Sequence, residues 1–184
     1  MVYKSRCAGG KPVKYKWVGG RVDPEEGQTI VDALARQFAV QIATEAMQRE
    51  ELKSNKYNKF VARMTSHTKV KLDEIAAGSL RPGSEVVKLA GCQDICCHMT
   101  ELRWQRLERT LEGDNPKVLV RHYVAEPSEV DNGVFGLVLH RKLTKDLEGQ
   151  ELEKEEITKL QTEKINTAKS ICAEAIKTNW AFDD

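Results

Sequence analysis

Cysteine and histidine side chains are the residues of this 184-residue chain that could bind a metal ion or act as nucleophiles. Cys92, Cys96, Cys97 and His98 together could supply the four ligands of a tetrahedral structural zinc site. Their spacing argues against zinc, because Cys97 and His98 are adjacent and would point about 100° apart on a helix. We therefore predict no metal site and interpret Cys92 and Cys96 as small core residues on one helical face.

A cysteine paired with a histidine base is the other chemistry that these residues allow. His67, His122 and His140 are candidate bases, but nothing in the sequence places one of them beside a thiol. The phosphate-cradling pattern GxxxxGK[ST] is absent. We predict a protein that is not an enzyme, with no catalytic residue and no cofactor. A thiol or hydrolytic enzyme is the alternative, and a low-pKa cysteine in a cleft would indicate it.

Binding chemistry is indicated instead by the 34 residues from Asn58 to Gly91. Their apolar spacing predicts two short helices, 58–64 and 68–77, around a tight turn at 65–67. Thr68 is placed to cap the second helix, and a third helix is expected after the proline that follows. The residues that carry this pattern are Ala62, Thr68, Leu72, Ile75, Gly78 and Pro82.

This region resembles the helix-turn-helix of the Cro/C1-type (XRE-like) repressor family. The resemblance implies that the helix beginning at Thr68 enters the major groove of DNA. Thr68 would bond a phosphate or a base, Lys69 and Lys71 would meet phosphates or guanine edges, and Val70 would touch a thymine methyl group. It further implies sequence-specific binding of double-stranded DNA by a transcriptional regulator or repressor of phage or mobile-element type, acting as a dimer.

The N-terminal segment adds positive charge to this hypothesis. Residues 1–22 contain six basic residues and no acidic one. Residues 12–22 alternate apolar and basic side chains before a Gly-Gly pair, which predicts a small hairpin with a basic face. Lys14, Lys16 and Arg21 of this hairpin are expected to contact DNA phosphates independently of base sequence. The ordinary alternative is a lysine-rich sheet edge that is protected against aggregation.

The remaining segments define the predicted fold. We expect a long helix over residues 30–52 with a capping box at its start, a helix over 94–113, a hairpin of 117–124 with 134–139, and a charged helix over 148–179. The two hairpins are expected to share one small sheet, because isolated hairpins are marginally stable. The predicted class is α+β, mostly α: a helical bundle containing a helix-turn-helix, a small antiparallel sheet from two hairpins, and a long C-terminal helix.

Four segments follow from this pattern: a basic hairpin (1–28), a helical domain with the helix-turn-helix (29–113), a β-hairpin (114–145) and an acidic helix (146–184). The C-terminal helix is expected either to lie on the domain or to form a dimer seam. The second functional hypothesis is a structural or protein-interaction subunit that self-assembles through its long helices and sheet. A homo-oligomer is expected under both hypotheses.

Composition places few limits on function. The net charge is only +1, although residues 1–22 are basic and residues 146–184 carry ten acidic residues against five lysines. We find no apolar run long enough to span a membrane and no signal-peptide pattern, so no membrane association is expected. Five cysteines form an odd number without a regular framework, which favours reduced thiols and a cytoplasmic location.

Overall fold

A five-stranded mixed sheet lies at the centre of the computed structural model, which describes residues 4–89, 98–113, 116–145 and 149–180. The strands are β1 (Lys14–Trp17), β2 (Val86–Lys88), β3 (Met99–Leu107), β4 (Lys117–Ala125) and β5 (Gly133–Arg141), in the spatial order β1-β5-β4-β3-β2. The β2–β3, β3–β4 and β4–β5 pairs are antiparallel, whereas β1 pairs with β5 in parallel. The three helices are α1 (Ile30–Gln48), α2 (Tyr57–Ala76) and α3 (Lys154–Lys177).

Helix α1 begins as the sequence predicts. The backbone N–H of Asp32 donates to Thr29 Oγ1 over 3.1 Å, and the N–H of Thr29 donates to Asp32 Oδ2 over 3.2 Å. This reciprocal capping box satisfies two N–H groups that the first turn leaves without a helical acceptor. The predicted helix is therefore confirmed, although it ends at Gln48 instead of residue 52.

Helix α2 runs without a break through the predicted turn at residues 65–67. The inward stripe of Phe60, Met64, Thr68, Leu72 and Ile75 explains this continuity, because each of them is at most 1 % exposed. Their four- and three-residue spacing places them on one helical face, and only an uninterrupted helix buries them all. No glycine or proline opposes the helix between residues 57 and 76. The expected helix-turn-helix geometry is thus wrong.

Two further predicted helices are also wrong, because their residues form strands. The segment after Pro82 contributes β2, where adjacent β-branched Val86 and Val87 favour extended backbone. Within the predicted helix 94–113, Met99–Leu107 form β3, and residues 90–97 lie outside the described part of the chain. In β3 the buried Leu102 and Trp104 alternate with more exposed neighbours, which is the period of a strand.

The predicted hairpin of β4 and β5 is confirmed, and so is its sharing of one sheet with the N-terminal segment. The N-terminal segment itself is not a hairpin. It supplies the single strand β1, and Gly19 passes β5 so closely that a Cβ atom there would lie 2.0 Å from the Leu137 carbonyl oxygen. Gly19 therefore allows close backbone approach and does not mark a hairpin turn.

The helices cover both faces of the sheet. On one face α1 and α2 pack on Leu102, Trp104, Val120 and Val124, and on the other α3 packs through Ala168, Cys172 and Ala175 on residues of β4 and β5. The long C-terminal helix therefore lies on the domain, as one of the two alternatives predicted. The fold is α+β with a five-stranded mixed sheet, which corrects the predicted mostly α bundle with two small hairpins.

The sheet also draws its strands from three of the four predicted segments, because β1, the β2–β3 pair and the β4–β5 pair come from different ones. Within the described ranges, no helix is long and apolar enough to cross a membrane.

Candidate functional site

The four residues of helix α2 that were predicted to contact DNA lie in different environments. Thr68 is completely buried, and Val70 is 50 % exposed. The Lys69 ammonium group forms an ion pair with Asp32 at the start of α1. Lys71 Nζ lies 2.6 Å from Glu74 Oε2 and 2.9 Å from Glu85 Oε1. These residues therefore do not form one continuous surface for a DNA groove.

Lys14, Lys16 and Arg21 are brought together, but at the far side of the sheet. All three line a groove of about 770 Å³ beside β1, together with apolar and aromatic side chains. Because β5 and β4 lie between β1 and β3 in the strand order, this groove is two strands away from β3, whose residues line a different cleft together with Lys71. At about 4.8 Å per strand, the separation is of the order of 15 Å. The N-terminal cations and Lys71 therefore belong to two surfaces.

Lys71 lies instead in a cleft at the other end of the sheet, which we call the β3-edge cleft. The short strand β2 covers β3 only as far as Leu102, and the N–H of Arg103 donates to the Glu85 carbonyl oxygen over 2.7 Å. Beyond this bond, no described strand pairs with the outer edge of β3. The cleft has a volume of about 520 Å³ and is lined by His67, Lys71, Arg81, Ser84, Glu85, Arg103, Trp104, Gln105, Leu119 and Arg121.

Two of the arginines that line the β3-edge cleft are neighbours on the face of the sheet opposite to Trp104. Arg103 of β3 and Arg121 of β4 are direct cross-strand partners. Glu101 accepts two hydrogen bonds from Arg103, at 2.9 and 3.1 Å, and its Oε1 lies 2.6 Å from Arg121 Nε. The Arg121 Nε–H does not point along a hydrogen bond to this oxygen, so the contact is an ion pair only. One carboxylate therefore serves two guanidinium groups.

Glu85 is a second carboxylate that two cations of this cleft share. Glu85 Oε2 accepts hydrogen bonds from the backbone N–H and from Nε of Arg81, both over 3.0 Å, while Glu85 Oε1 accepts from Lys71. The hydrogen bonds from Arg81 and then Lys71 outweigh burial and lower the pKa of Glu85 to about 2. Burial opposes the charged form of Lys71, but its bonds to Glu74 and Glu85 raise its pKa overall.

Lys142 continues the positive charge beyond Arg121. Its backbone N–H donates to the Leu119 carbonyl oxygen over 2.8 Å, at the start of the segment that follows β5. Burial lowers the pKa of Lys142, and repulsion from Arg121 and Arg103 lowers it further. Burial also lowers the pKa of Arg121, and Arg103 contributes in the same direction. Lys142 and Arg121 therefore lie close enough to neighbouring arginines for like-charge repulsion to disfavour their charged forms.

A second, smaller cleft of about 190 Å³ adjoins the first, and Leu119 lines both. We call it the β5-end cleft, and its basic residues are Arg49, Lys117, Arg141, Lys142 and Lys145, against Glu51 and Glu112. The basic residues that line the two clefts are together called the basic belt. The belt contains nine cations, whereas three carboxylates line the same clefts. Since the whole chain has a net charge of +1, positive charge is concentrated here.

Sequence reasoning found only Lys71 among these belt residues. The missed signal lies in β3, where Glu101, Arg103 and Gln105 alternate with Leu102 and Trp104. Alternation of charged and large apolar residues indicates a strand with one buried face. The pairing of Arg103 with Arg121 could not be predicted, because it depends on the register of β3 and β4.

The described cysteines and histidines have structural environments. Cys7 is buried, and burial followed by the charge of Glu126 raises the pKa of its thiol, so the thiolate is disfavoured. Cys172 is disulfide-bonded, so the expectation of reduced thiols is wrong for this residue. His122 is fully buried, with Nε2 3.0 Å from Tyr15 Oη and Nδ1 3.0 Å from the Val138 carbonyl oxygen.

Cys92, Cys96 and Cys97, the cysteines for which a zinc site was considered and not predicted, lie outside the described residues. Elsewhere in the part of the chain that the structure describes, no group of three or more His, Cys, Asp or Glu side chains is arranged to hold a metal ion.

Comparison with known proteins gives no relative from which a function can be transferred. No protein-family model matches the sequence, no curated protein is detectably similar to it, and no solved structure matches its fold. The functional argument therefore rests on the geometry and charge of the two adjoining clefts.

Proposed function

We propose that this protein is a non-enzymatic DNA-binding protein that contacts the phosphate backbone through the basic belt. The observation that carries the proposal is the concentration of nine basic residues around two clefts that meet at Leu119. Double-stranded DNA was also the ligand expected from the sequence, but the contact surface proposed here is an end of the sheet and not a recognition helix.

The charge balance of the belt supports a polyanionic ligand. Glu101, Glu85 and Glu51 each contact two cations, but each carboxylate carries one negative charge and so compensates only one of them. Cations therefore remain in excess after every internal ion pair is counted. A ligand with regularly spaced charges, such as a phosphate backbone, can compensate this excess along the whole belt and release its counterions.

The lining side chains favour contacts to phosphates over contacts to bases. Trp104 is the one aromatic ring other than His67 among the described residues that line the two clefts, and it is 5 % exposed. A stacking platform for unpaired bases needs exposed aromatic rings. We therefore propose that binding is largely independent of base sequence and falls steeply with salt, by roughly 0.9 in log K per log salt for each phosphate neutralised.

The test is a titration of a fluorescent DNA duplex, followed by anisotropy at several salt concentrations. The double variant Arg103→Gln with Lys142→Gln removes two belt charges, and Lys59→Gln with Lys159→Gln is the matched control, since both lysines are exposed and lie outside the belt. We expect the belt variant to bind more weakly and to show a shallower salt slope, because two phosphate contacts are lost. Equal binding by both double variants, or no binding by the wild-type protein, would contradict the proposal.

A self-assembling interaction subunit remains the second candidate, because both ends of the sheet are exposed. The outer edge of β1 and the distal part of β3 have no strand partner among the described residues. Such edges can pair with another chain, although Lys14 and Lys16 on β1 oppose this. Size-exclusion chromatography with light scattering, in the absence of DNA, distinguishes this candidate: a concentration-dependent assembly supports it, and a monomer at all concentrations excludes it.

A further inference from the structure

We infer that the groove beside β1, which we call the β1-edge groove, binds an extended acidic segment of another protein as an additional strand of the sheet. The segment carries acidic side chains opposite Lys14 and Lys16 and apolar side chains opposite Tyr15 and Trp17. The inference goes beyond DNA binding by the basic belt and is independent of it, because no residue lines both this groove and the clefts of the belt.

The first observation is the open backbone edge of β1. Within the described part of the chain, β5 is the only strand that pairs with β1. The N–H groups of Lys14 and Val18 donate to carbonyl oxygens of β5, over 2.8 and 2.9 Å, so alternate residues from Lys14 onward face β5. The N–H and C=O groups of Tyr15 and Trp17 therefore face the outer edge. These groups can form the ladder hydrogen bonds of an added strand.

The second observation is that the groove wraps around this edge. Tyr15 and Trp17 pack against the core beneath α1 and α2, whereas Lys16 lies beside its cross-strand partner Phe135 on the α3 face. All four residues line the groove of about 770 Å³, so its volume lies over the edge of the sheet and not on one face. A chain in this groove presents side chains to both faces, as an added strand does.

The side of the groove toward α1 is apolar. Ile30 is 46 % exposed there, and Trp17, Val22 and Val31 are partly exposed. The Trp17 ring has a fixed position, because its Nε1 donates to the Gly20 carbonyl oxygen over 2.9 Å. Apolar side chains of an added strand can bury this surface, because side chains directly opposite each other on neighbouring strands share a face.

The charge of the groove selects an acidic partner. Lys14, Lys16 and Arg21 line it, and no described carboxylate does. Arg21 forms an ion pair with Asp23, but the two side chains are 86 % and 71 % exposed, so water screens this pair. Acidic side chains opposite Lys14 and Lys16 form favourable cross-strand pairs. A phosphate backbone would meet these lysines but would leave the apolar side of the groove uncovered.

The same lysines disfavour a second copy of β1 as the occupant. Two copies related by a two-fold axis pair identical strands, here in the antiparallel direction. Their hydrogen-bonded positions would combine Tyr15 and Trp17 of both copies, which places lysine opposite lysine. Like charges directly opposite each other are destabilising. The edge is therefore better suited to an acidic strand than to self-association.

The experiment uses a short synthetic peptide of alternating glutamate and valine and the ¹⁵N-labelled full-length protein. The readout is the indole N–H signals of its three tryptophans, assigned with Trp17→Phe and Trp180→Phe. The peptide should shift the signals of Trp17 and Trp180, which line the groove, and leave that of Trp104, which lines another cleft. No shift, or equal shifts of all three signals, would overturn the inference.

A control peptide with the same composition tests the alternation. It has all its glutamates in one block and all its valines in another, so it cannot present acidic groups to one face and valines to the other. We expect it to bind at least about tenfold more weakly. Equal affinity of the two peptides would contradict recognition by alternate faces.

Methylation of the peptide's amide nitrogens tests strand addition itself. In an added strand, alternate N–H groups face β1 and the others face water. One peptide is methylated on every glutamate nitrogen and the other on every valine nitrogen. Only one of them should lose binding, by about tenfold or more, and its identity reports whether the strand is parallel or antiparallel. Equal losses, or no loss with either peptide, would contradict strand addition.

Charge reversal then locates the site. Lys14→Glu with Lys16→Glu should weaken binding of the glutamate peptide at least about tenfold and create binding of a matching lysine and valine peptide. Lys59→Glu with Lys159→Glu is the matched control, since both lysines are exposed and lie outside the groove. Equal weakening by the two double variants would show general charge attraction and would overturn the inference.

Duplex DNA separates this inference from the proposed function. The Lys14→Glu and Lys16→Glu double variant should bind a duplex as the wild type does, because neither lysine belongs to the belt. Loss of duplex binding, with no peptide binding by the wild type, would make these lysines DNA contacts and overturn the inference. Peptide binding by a protein that binds no DNA would refute the proposed function and support the groove.

Discussion

Arg103 and Arg121 face each other directly across β3 and β4, and the single carboxylate of Glu101 contacts both of them. The side chain of Glu101 is 7 % exposed, and that of Arg121 is 12 % exposed. Two adjacent guanidinium groups in such a setting repel each other unless an anion lies between or beside them. Glu101 therefore acts as the internal anion of this pair. Arg121 also donates to the Val120 carbonyl oxygen over 3.0 Å, so Arg103, with 39 % of its side chain exposed, is the one more open to an external anion.

Replacing Glu101 with glutamine is the first prediction. The change removes the charge that Arg103 and Arg121 share, so we expect the free energy of unfolding to fall by about 1–3 kcal/mol. Added phosphate should restore more stability to this variant than to the wild-type protein, because the external anion then replaces the lost one. Urea unfolding with and without phosphate at constant ionic strength measures both effects.

Glu26→Gln provides the matched control, since Glu26 is exposed in the segment before α1. Its unfolding free energy is expected to stay within about 0.5 kcal/mol of wild type. If phosphate stabilises all three proteins equally, the effect is a general salt effect and the role given to Glu101 is wrong.

The elements predicted correctly from the sequence are those with a strong local signal. Thr29 and Asp32 mark the start of α1, and the turn residues Asp131, Asn132 and Gly133 separate the two apolar strands of the β4–β5 hairpin. The long charged helix α3 was also expected. In these cases the cap, the turn and the apolar spacing all indicate the same element, so tertiary contacts do not have to decide.

The incorrect elements are those in which packing decides between local alternatives. Thr65, Ser66 and His67 are weak helix formers, but burial of Met64 and Thr68 on one stripe holds α2 together. The β3 segment has apolar residues at helical spacing, Met99 and Leu102, and at strand spacing, Leu102 and Trp104, and its pairing with β4 selects the strand. The β3-edge cleft could not be predicted from the sequence for the same reason. Its residues come from α2, the β2 segment and two strands that are distant in sequence.

The second prediction compares Lys69 with Lys71, because the two residues distinguish between DNA binding at the β3-edge cleft and DNA binding by the exposed face of α2. Lys71 lines the β3-edge cleft, whereas Lys69 pairs with Asp32 on α1. Lys71→Gln should therefore weaken duplex binding and reduce the salt slope by roughly 0.9, while Lys69→Gln should change neither. Anisotropy titrations at several salt concentrations provide the comparison, and each variant is the control for the other. A larger loss with Lys69→Gln would favour reading of DNA by the exposed face of α2.

The pH dependence of stability is the third prediction, and it concerns Glu85. Its pKa is lowered to about 2 in the folded protein by the hydrogen bonds from Arg81 and then Lys71, against an ordinary value of 4.5. A carboxyl group with a lowered folded pKa stabilises the protein above its unfolded pKa and loses this contribution as the pH falls. The contribution of Glu85 should thus be complete near neutral pH and disappear between about pH 5 and pH 2.

Glu85→Gln tests this contribution directly. The variant should be less stable than wild type at pH 7, by about 1–3 kcal/mol, and the difference should vanish toward pH 2. The measurement is the free energy of urea unfolding over this pH range, taken as the difference between the two proteins so that other carboxylates such as Asp32 cancel. A difference that stays constant with pH would show that Glu85 acts through packing alone.

The junction of β1 and β5 gives the fourth prediction. A Cβ atom at Gly136 would lie 2.3 Å from Tyr15 Oη and 2.8 Å from the Trp17 ring. Tyr15 is held in place by its hydrogen bond to His122, whose Nδ1 in turn bonds the Val138 carbonyl oxygen. The ring has little room to move away, so we expect Gly136→Ala to cost about 1–3 kcal/mol of unfolding free energy.

The double variant Gly136→Ala with Tyr15→Phe shows whether the clash is with the tyrosine oxygen. Tyr15→Phe alone leaves His122 Nε2 without its partner and should be destabilising by about 1 kcal/mol. In the double variant the new methyl group no longer meets the oxygen, so the total loss should be smaller than the sum of the single losses. Losses that add fully would place the clash at Trp17 and contradict this account. Such coupling would also support the parallel pairing of β1 with β5 at this end of the sheet.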